Sequence, residues 1–497
     1  MPSHRVTLLV PSGESAASGQ APLADPAPLR AAFARIRQEY EVPSDFPADV
    51  LAEARQVASN PTHDDLPDLR DVPFFTIDPA GSMDLDQAMA LERLDDGYRV
   101  RYAIADVPAV VRLGGAIDAE ARRRGQTIYL PDGRSPLHPP VLSEDAASLL
   151  PGQDRSAFVW DLELGSDGEP RRAQVARARV RSRRRWDYQE AQAAIDQLSA
   201  AGEPAQSQDL SQLALLREIG QLRIEAERVR GGASLPMPEQ EVHAEVGGYR
   251  LRFRPPVPAE EWNAQISLLT GMAAASIMLE GGVGLLRTMP TPQASAIATF
   301  RRQAEALGVS WPAEVSYGEL LRGLDRDNPA HLALVHEATS LFRGAGYTPF
   351  EGQPPEQPLH AAVAAPYAHV TAPLRRLVDR FGLLVCAALC AGEEVPAQVR
   401  EILPLLPDLM RTSDQRASAV DRACTDAVEA AELAGRVGQE FPAVVVDDRG
   451  AKGLLVQVLD PAVVAPCEPG AELGSRVRVR LEEADIQARS VRFSVSG

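Results

Sequence analysis

Lysine is almost missing from this sequence. Lys452 stands alone, and arginine supplies the rest of the 51 basic side chains. That scarcity excludes a GxxxxGK phosphate loop and leaves no lysine placed for Schiff-base chemistry. Cysteine is scarce too. Cys386, Cys390, Cys424 and Cys467 form no CxxC pair, which argues against a zinc site. No signal segment opens the chain: Met1 to Ser18 is polar apart from a short LLV run. The expectation is a cytoplasmic protein with reduced thiols. Long hydrophobic runs are also lacking. The longest uncharged apolar stretches are Trp262 to Leu279 and Phe381 to Gly392. The first is interrupted by Asn263, Gln265, Ser267, Thr270 and Gly271, which predicts a buried helix and no membrane span. Positive charge is in deficit overall. A formal net charge of −18 speaks against nucleic-acid binding unless the arginines are clustered.

What is present divides the 497 residues by periodicity, within the two to four domains expected for this length. Residues 1–65 begin loosely with Gly, Ser, Ala and Pro. PLRAAFARIRQEY and FPADVLAEARQVA then carry helical spacing, so this is a small helical region, compatible with a helix-turn-helix-like unit. From Asp71 to Leu164 the signal is short strands: FFTID, QAMALERL, YRVRYAIAD and FVWDLEL, with Asp95-Asp96-Gly97 as a hairpin turn. The next segment alternates Arg177, Arg179, Arg181 and Arg183 with small residues. On a strand they share one face, either as a solvated edge or as a row facing phosphates. Residues 188–437 read as mostly helical. Residues 439–497 return to strands with Gly-containing turns and suit a small closed barrel. The fold class expected is therefore α+β and multidomain.

FFTIDPAGSMDLDQAM places Asp78, Asp84 and Asp86 within nine residues of an otherwise apolar stretch. Asp84 and Asp86 are two apart and point the same way on extended backbone, and a loop returns Asp78 beside them. This is either an acidic turn or a hard-oxygen site for Mg²⁺ or Mn²⁺, the chemistry used to activate water against phosphodiesters.

The same stretch resembles the signature of the RNase II/RNB family of 3′→5′ exoribonucleases. The likeness continues in order through YRVRYAIADV, TIYLPDGRSPLHPPVLSEDAASLLPG and YAHVTAPLRRLVD, and the C-terminal barrel is similar to an S1 domain. The resemblance implies a small helical region (1–65) without cold-shock barrels, a mixed α/β RNB catalytic domain (66–438) and an S1-like OB barrel (439–497). It implies hydrolysis of single-stranded RNA to nucleoside 5′-monophosphates, with Mg²⁺ as cofactor, Mn²⁺ as substitute and no membrane partner. Asp78, Asp84, Asp86 and Gln87 fall at metal positions, with Asp84, Asp86 and Arg375 catalytic. Tyr129, Tyr188, Arg375, Arg177 and Arg179 are expected on RNA; the alternative for Arg375 is an ion pair with Asp379. Ala372 and Leu377 stand where the family has Ser and Tyr around Arg375, and three further positions depart from the pattern. Gln87 replaces a fourth aspartate, and Gln265 and Asp421 fall where the family has Glu. These departures motivate a second reading, a catalytically weakened RNB-fold RNA-binding protein.

Overall fold

The computed structural model describes residues 26–59, 65–201, 207–233, 239–245, 248–254, 256–325, 328–458 and 460–496. The loose opening segment lies outside them. The α+β expectation holds: the described residues form helices, two separate closed barrels and four two-stranded sheets.

Helix α1 (Pro26–Glu39) carries Leu29, Phe33 and Ile36 on one stripe, the spacing that buries a single helical face. The stripe packs on Val420, Ala423, Cys424 and Ala427 of the long helix Leu406–Leu433. Helix α2 (Ala48–Ala58) buries Val50 and Ala54 against the cluster that holds Phe74 and Leu85. The N-terminal helices are thus docked on the body of the protein.

Five strands close the first barrel in the order β1 (Phe74–Asp78), β2 (Gln87–Leu94), β3 (Gly97–Ala105), β6 (Asp154–Leu164) and β7 (Pro170–Asp187). Neighbours are antiparallel except at the closure, where β1 runs parallel to β7 and Asp78 pairs with Asp187. Side chains alternate between two cores. Phe75, Ile77, Met89, Tyr102 and Trp160 fill one, while Phe74, Ala88, Ala103 and Ala157 fill the other. Both faces are covered, so FFTI is continuously buried where a half-exposed strand would alternate. A short hairpin, β4 (Ile128–Leu130) and β5 (Gly133–Ser135), lies between β3 and β6 in sequence.

The stretch expected to be mostly helical holds the helices Gln208–Arg230, Pro258–Gly281 and Leu377–Ala391, but also three two-stranded sheets, the smallest joining Leu359–His360 to Ala365–Pro366. Glu239–Glu245 pairs with Gly248–Arg254, and Val283–Thr288 pairs with Gly346–Glu351. The second pair joins segments some 60 residues apart, a pairing that local periodicity does not register. Among the described residues no helix is long and apolar enough to cross a membrane.

The second barrel contains Glu440–Asp448, Leu454–Val458, Val463–Cys467, Arg476–Asp485 and Ser490–Val495 around Phe441, Val456, Val479 and Phe493. Val479 is buried while Arg478 and Arg480 face outward onto Glu440, as the alternation of RVRVR requires.

Candidate active site

The acidic loop hangs between β1 and β2. Asp78 ends β1, Gly81 turns the chain at φ +81°, and Gln87 begins β2. Leu85 anchors the loop. Its side chain is fully buried, its N–H donates to Ser148 Oγ (2.9 Å), and its carbonyl accepts from Leu149 N–H (3.0 Å). Ser148 Oγ donates in turn to the Met83 carbonyl (2.6 Å). Burying Leu85 fixes the orientation of the two carboxylates on either side of it.

A second loop, Thr371–Arg376, meets the first. Leu374 N–H donates to Asp86 Oδ1 at 2.7 Å, and the Gln87 amide nitrogen donates to the Thr371 carbonyl. Arg375 Nε lies 3.3 Å from Asp86 Oδ2. The alternative pair with Asp379 is not made by Arg375: Arg376 takes that carboxylate, which also accepts from Ala372 N–H (2.7 Å). Adjacent arginines therefore do different work. Arg376 holds the loop to the following helix, and Arg375 faces the acids.

Asp86 is 2% exposed, and its Oδ2 accepts no hydrogen bond. Burial pushes its carboxyl well above the usual carboxylate range, against the pull of Arg375 and the Leu374 N–H. Burial works the other way on the Arg375 guanidinium, but Asp86 together with Tyr129 and Asp78 outweighs it and holds that pKa above its ordinary value.

The β4–β5 hairpin reaches Asp84 from another side. Tyr129 Oη lies 3.5 Å from Asp84 Oδ2, and Arg134 Nη1 donates to Asp84 Oδ1 at 2.8 Å. Burial raises the Tyr129 hydroxyl pKa, and Asp84 adds to the rise. Tyr188 follows β7 directly, and its hydroxyl accepts from Asn263 Nδ2 (3.0 Å) on the helix Pro258–Gly281. The buried Tyr102 hydroxyl, bonded to Ser267 (2.9 Å), lies within electrostatic reach of Tyr188, Asp78 and Arg375. Strand ends, hairpin and loop thus bring Asp78, Asp84, Asp86, Gln87, Tyr129 and Arg375 into one neighbourhood.

Arg177 and Arg179 are engaged elsewhere. Arg177 Nε lies 3.1 Å from Asp106 and its guanidinium covers the Phe158 ring; Arg179 pairs with Asp68 at 3.0 Å. Within the arginine row of β7, Arg185 touches the acidic loop: its Nη1 donates to the Ser82 carbonyl (2.8 Å). Its place two residues beyond Arg183 continues the same alternation, a signal available in the sequence. Arg134 was also missed, because its hairpin partner Tyr129 is set by pairing that the sequence does not display. Gln265 donates to Glu227 (2.6 Å). Asp421, on the helix Leu406–Leu433, has its carboxyl raised to about 7 by burial, opposed by Arg422.

Among the described residues no three His, Cys, Asp or Glu side chains stand grouped as a ready-made metal site. The donor chemistry fits a hard cation nonetheless: the acids are carboxylates, and Asp86 Oδ2 is a buried oxygen with no donor on it.

A family model described as the RNB domain matches residues 67–385. The chain belongs to the RNB family. A second model, the RNase II-type exonuclease C-terminal S1 domain, matches residues 439–496. Among curated RNB relatives, Ribonuclease R of Thermotoga maritima is 26% identical over 446 residues, which cover 86% of this chain and 62% of that protein. The chain therefore spans under two thirds of that relative's length. Mycoplasma genitalium RNase R, solved in complex with ribose methylated single-stranded RNA, superposes with a TM-score of 0.83 at 16% identity. That match covers 100% of this chain and 86% of the other. Yeast Ssd1, described as a pseudonuclease, has the same RNB fold at a TM-score of 0.67 and 15% identity, covering 91% of this chain and 55% of its own.

Proposed function

We propose that this RNB protein is a hydrolytic 3′→5′ exoribonuclease that degrades single-stranded RNA to nucleoside 5′-monophosphates. The observation that carries the reading is the Asp86–Arg375 pair. A buried carboxylate with one oxygen free of donors stands 3.3 Å from a permanently charged guanidinium, on the loop that also carries Asp78 and Asp84. The family relationship supports it, since RNB nucleases are metal-dependent hydrolases.

The ion we assign is Mg²⁺, with Mn²⁺ as a substitute. Asp78, Asp84 and Asp86 would hold it, and Gln87 adds at most a neutral amide oxygen, because its nitrogen is committed to Thr371. When bound, such an ion supplies Lewis-acid polarisation of phosphate and a water of lowered pKa.

The chain's own residues do the rest. Arg375 presents a fork to the scissile phosphate, and its charge stabilises the extra negative charge of the transition state. Tyr129 seats the last nucleotide against Asp84. Tyr188 offers its ring to the terminal base, a contact worth ~1–3 kcal/mol and indifferent to sequence. Contacts to 2′-hydroxyls would separate RNA from DNA. Arg177 and Arg179 join only by exchanging Asp106 and Asp68 for phosphates. The four free thiols fit the cytoplasmic location we include in this reading.

Gln87 favours a second reading, an RNA-binding protein with weakened catalysis. Incubation of 5′-labelled oligoadenylate with Mg²⁺ decides between them. A ladder ending in a short limit product supports the exonuclease; intact RNA that remains bound supports the alternative.

A further inference from the structure

Arg134 makes an unusual bridge at the edge of the acidic loop. Its Nη1 donates to Asp84 Oδ1 at 2.8 Å, and its Nη2 lies 2.7 Å from Glu144 Oε1. One guanidinium therefore fills the space between two carboxylates. All three side chains are substantially buried: 23% of Arg134, 12% of Asp84 and 28% of Glu144 remain exposed. Charges in that setting are screened far less than at an open surface.

The placement is held from several sides. Tyr129 and Arg134 are cross-strand partners in the β4–β5 hairpin, so one short element brings a hydroxyl and a cation to the same carboxylate. The hairpin tip is fixed in turn by Arg37 of α1, whose fork grips Asp132. Arg134 is therefore seated by the N-terminal helix, and its position does not depend on a flexible surface arm.

The charges suggest what it does. Asp78, Asp84, Asp86 and Glu144 bring negative charge to this neighbourhood, while Arg375 answers Asp86 and Arg134 answers Asp84 and Glu144. Gln87 brings none. Sites that work with two divalent ions need carboxylates for both. Here one fixed cation already sits where a second ion would find its ligands, and the neutral Gln87 amide is turned to backbone.

We propose that Arg134 is a built-in substitute for a second divalent ion, so that the site takes a single ion. The inference rests on the exonuclease reading and deepens it. Arg134 is a positioning residue: it holds Asp84 in place and neutralises it without touching the reacting phosphate.

The test counts bound Mn²⁺ on the full chain by electron paramagnetic resonance, beside an RNA-cleavage assay. The wild type is expected to saturate with a single ion. Arg134→Ala leaves Asp84 and Glu144 facing one gap and should take up a second ion. Adding Glu144→Gln to that variant should abolish the second ion, and Arg134→Lys, which keeps the charge, should never acquire it. A purely structural role for Arg134 would lower metal binding on truncation and could not raise the count.

Two bound ions in the wild type would overturn the proposal, as would an unchanged count in Arg134→Ala or a second ion in Arg134→Lys. A wild type that cleaves RNA with Mn²⁺ but shows one of these patterns overturns the role of Arg134 alone. A wild type that binds no Mn²⁺ and leaves RNA intact overturns the exonuclease reading itself, and the proposal with it.

Discussion

Arg375 and Asp86 face each other across two loops that are 289 residues apart in sequence, Nε to Oδ2 at 3.3 Å, while Leu374 N–H holds the other oxygen of the same carboxylate. The pair gives the first prediction. Asn at position 86 retains an oxygen for the Leu374 N–H but loses the charge. Asp86→Asn should therefore fold normally and bind RNA within about threefold of wild type, while cleavage falls by at least ~10³-fold. Arg375→Ala should lower cleavage by roughly 10²- to 10³-fold. Single-turnover rates and filter-binding affinities check both. Substantial cleavage by Asp86→Asn would remove Asp86 from the chemistry.

Tyr129 stands against Asp84, and Tyr188 borders the same neighbourhood. Loss of the Tyr129 ring should lengthen the limit product, because the final nucleotides no longer anchor. Tyr188→Ala should weaken binding of short oligonucleotides by ~1–3 kcal/mol with little sequence preference. High-resolution gels of the end product and affinities for oligonucleotides of increasing length measure these effects. An unaltered limit product in Tyr129→Ala would contradict the place given to that ring.

Gln87 ties β2 to the arginine loop through the Thr371 carbonyl. Gln87→Ala is expected to cost about 1 kcal/mol of stability, the usual net value of one buried hydrogen bond. Gln87→Asp turns a carboxylate toward that carbonyl and should cost more than Ala. Urea denaturation of the three chains gives the order. If Gln87→Asp instead raises activity or lowers the metal requirement, position 87 belongs to the metal shell.

The same residues explain how far the sequence could be read. The acidic loop was legible because Asp84-Leu85-Asp86 couples two like-facing carboxylates to one buried leucine, and strand alternation makes that geometry local. The second barrel was legible for a similar reason, through the valine–arginine alternation of RVRVR. What escaped depended on distant pairing. FFTID closes the first barrel only through its parallel register with β7, and Arg134 reaches Asp84 only because β5 pairs with β4. The strand Val463–Cys467 carries Pro466, which hides its strand character. APLRR offers two arginines, and only the loop's path decides that Arg376 takes Asp379 and Arg375 takes Asp86.

Stability should depend on pH at the junction between the helix Leu406–Leu433 and the second barrel. Glu429 is buried there, accepting from Gln240 Nε2 (2.7 Å) and from Val464 N–H (3.0 Å). Burial raises its carboxyl to about 8, against those two hydrogen bonds. A carboxyl raised in the folded state binds its proton more tightly there than in the unfolded chain. Its contribution is complete below the ordinary value of 4.5 and is lost as pH rises through about 8. Wild-type stability should therefore fall across that window by on the order of 4 kcal/mol, and Glu429→Gln should flatten the fall. Chemical denaturation from pH 5 to pH 9 measures the slope. Equal slopes in the two chains would show that Glu429 is already ionised when folded.

The most direct measurement of the central claim follows 5′-labelled oligoadenylate with the wild-type chain and Mg²⁺, resolving both the shortening RNA and the released nucleotide. The account predicts stepwise loss from the 3′ end, adenosine 5′-monophosphate as the released species and a short final fragment. RNA that stays full length while bound, or fragments produced by internal cuts, would contradict it.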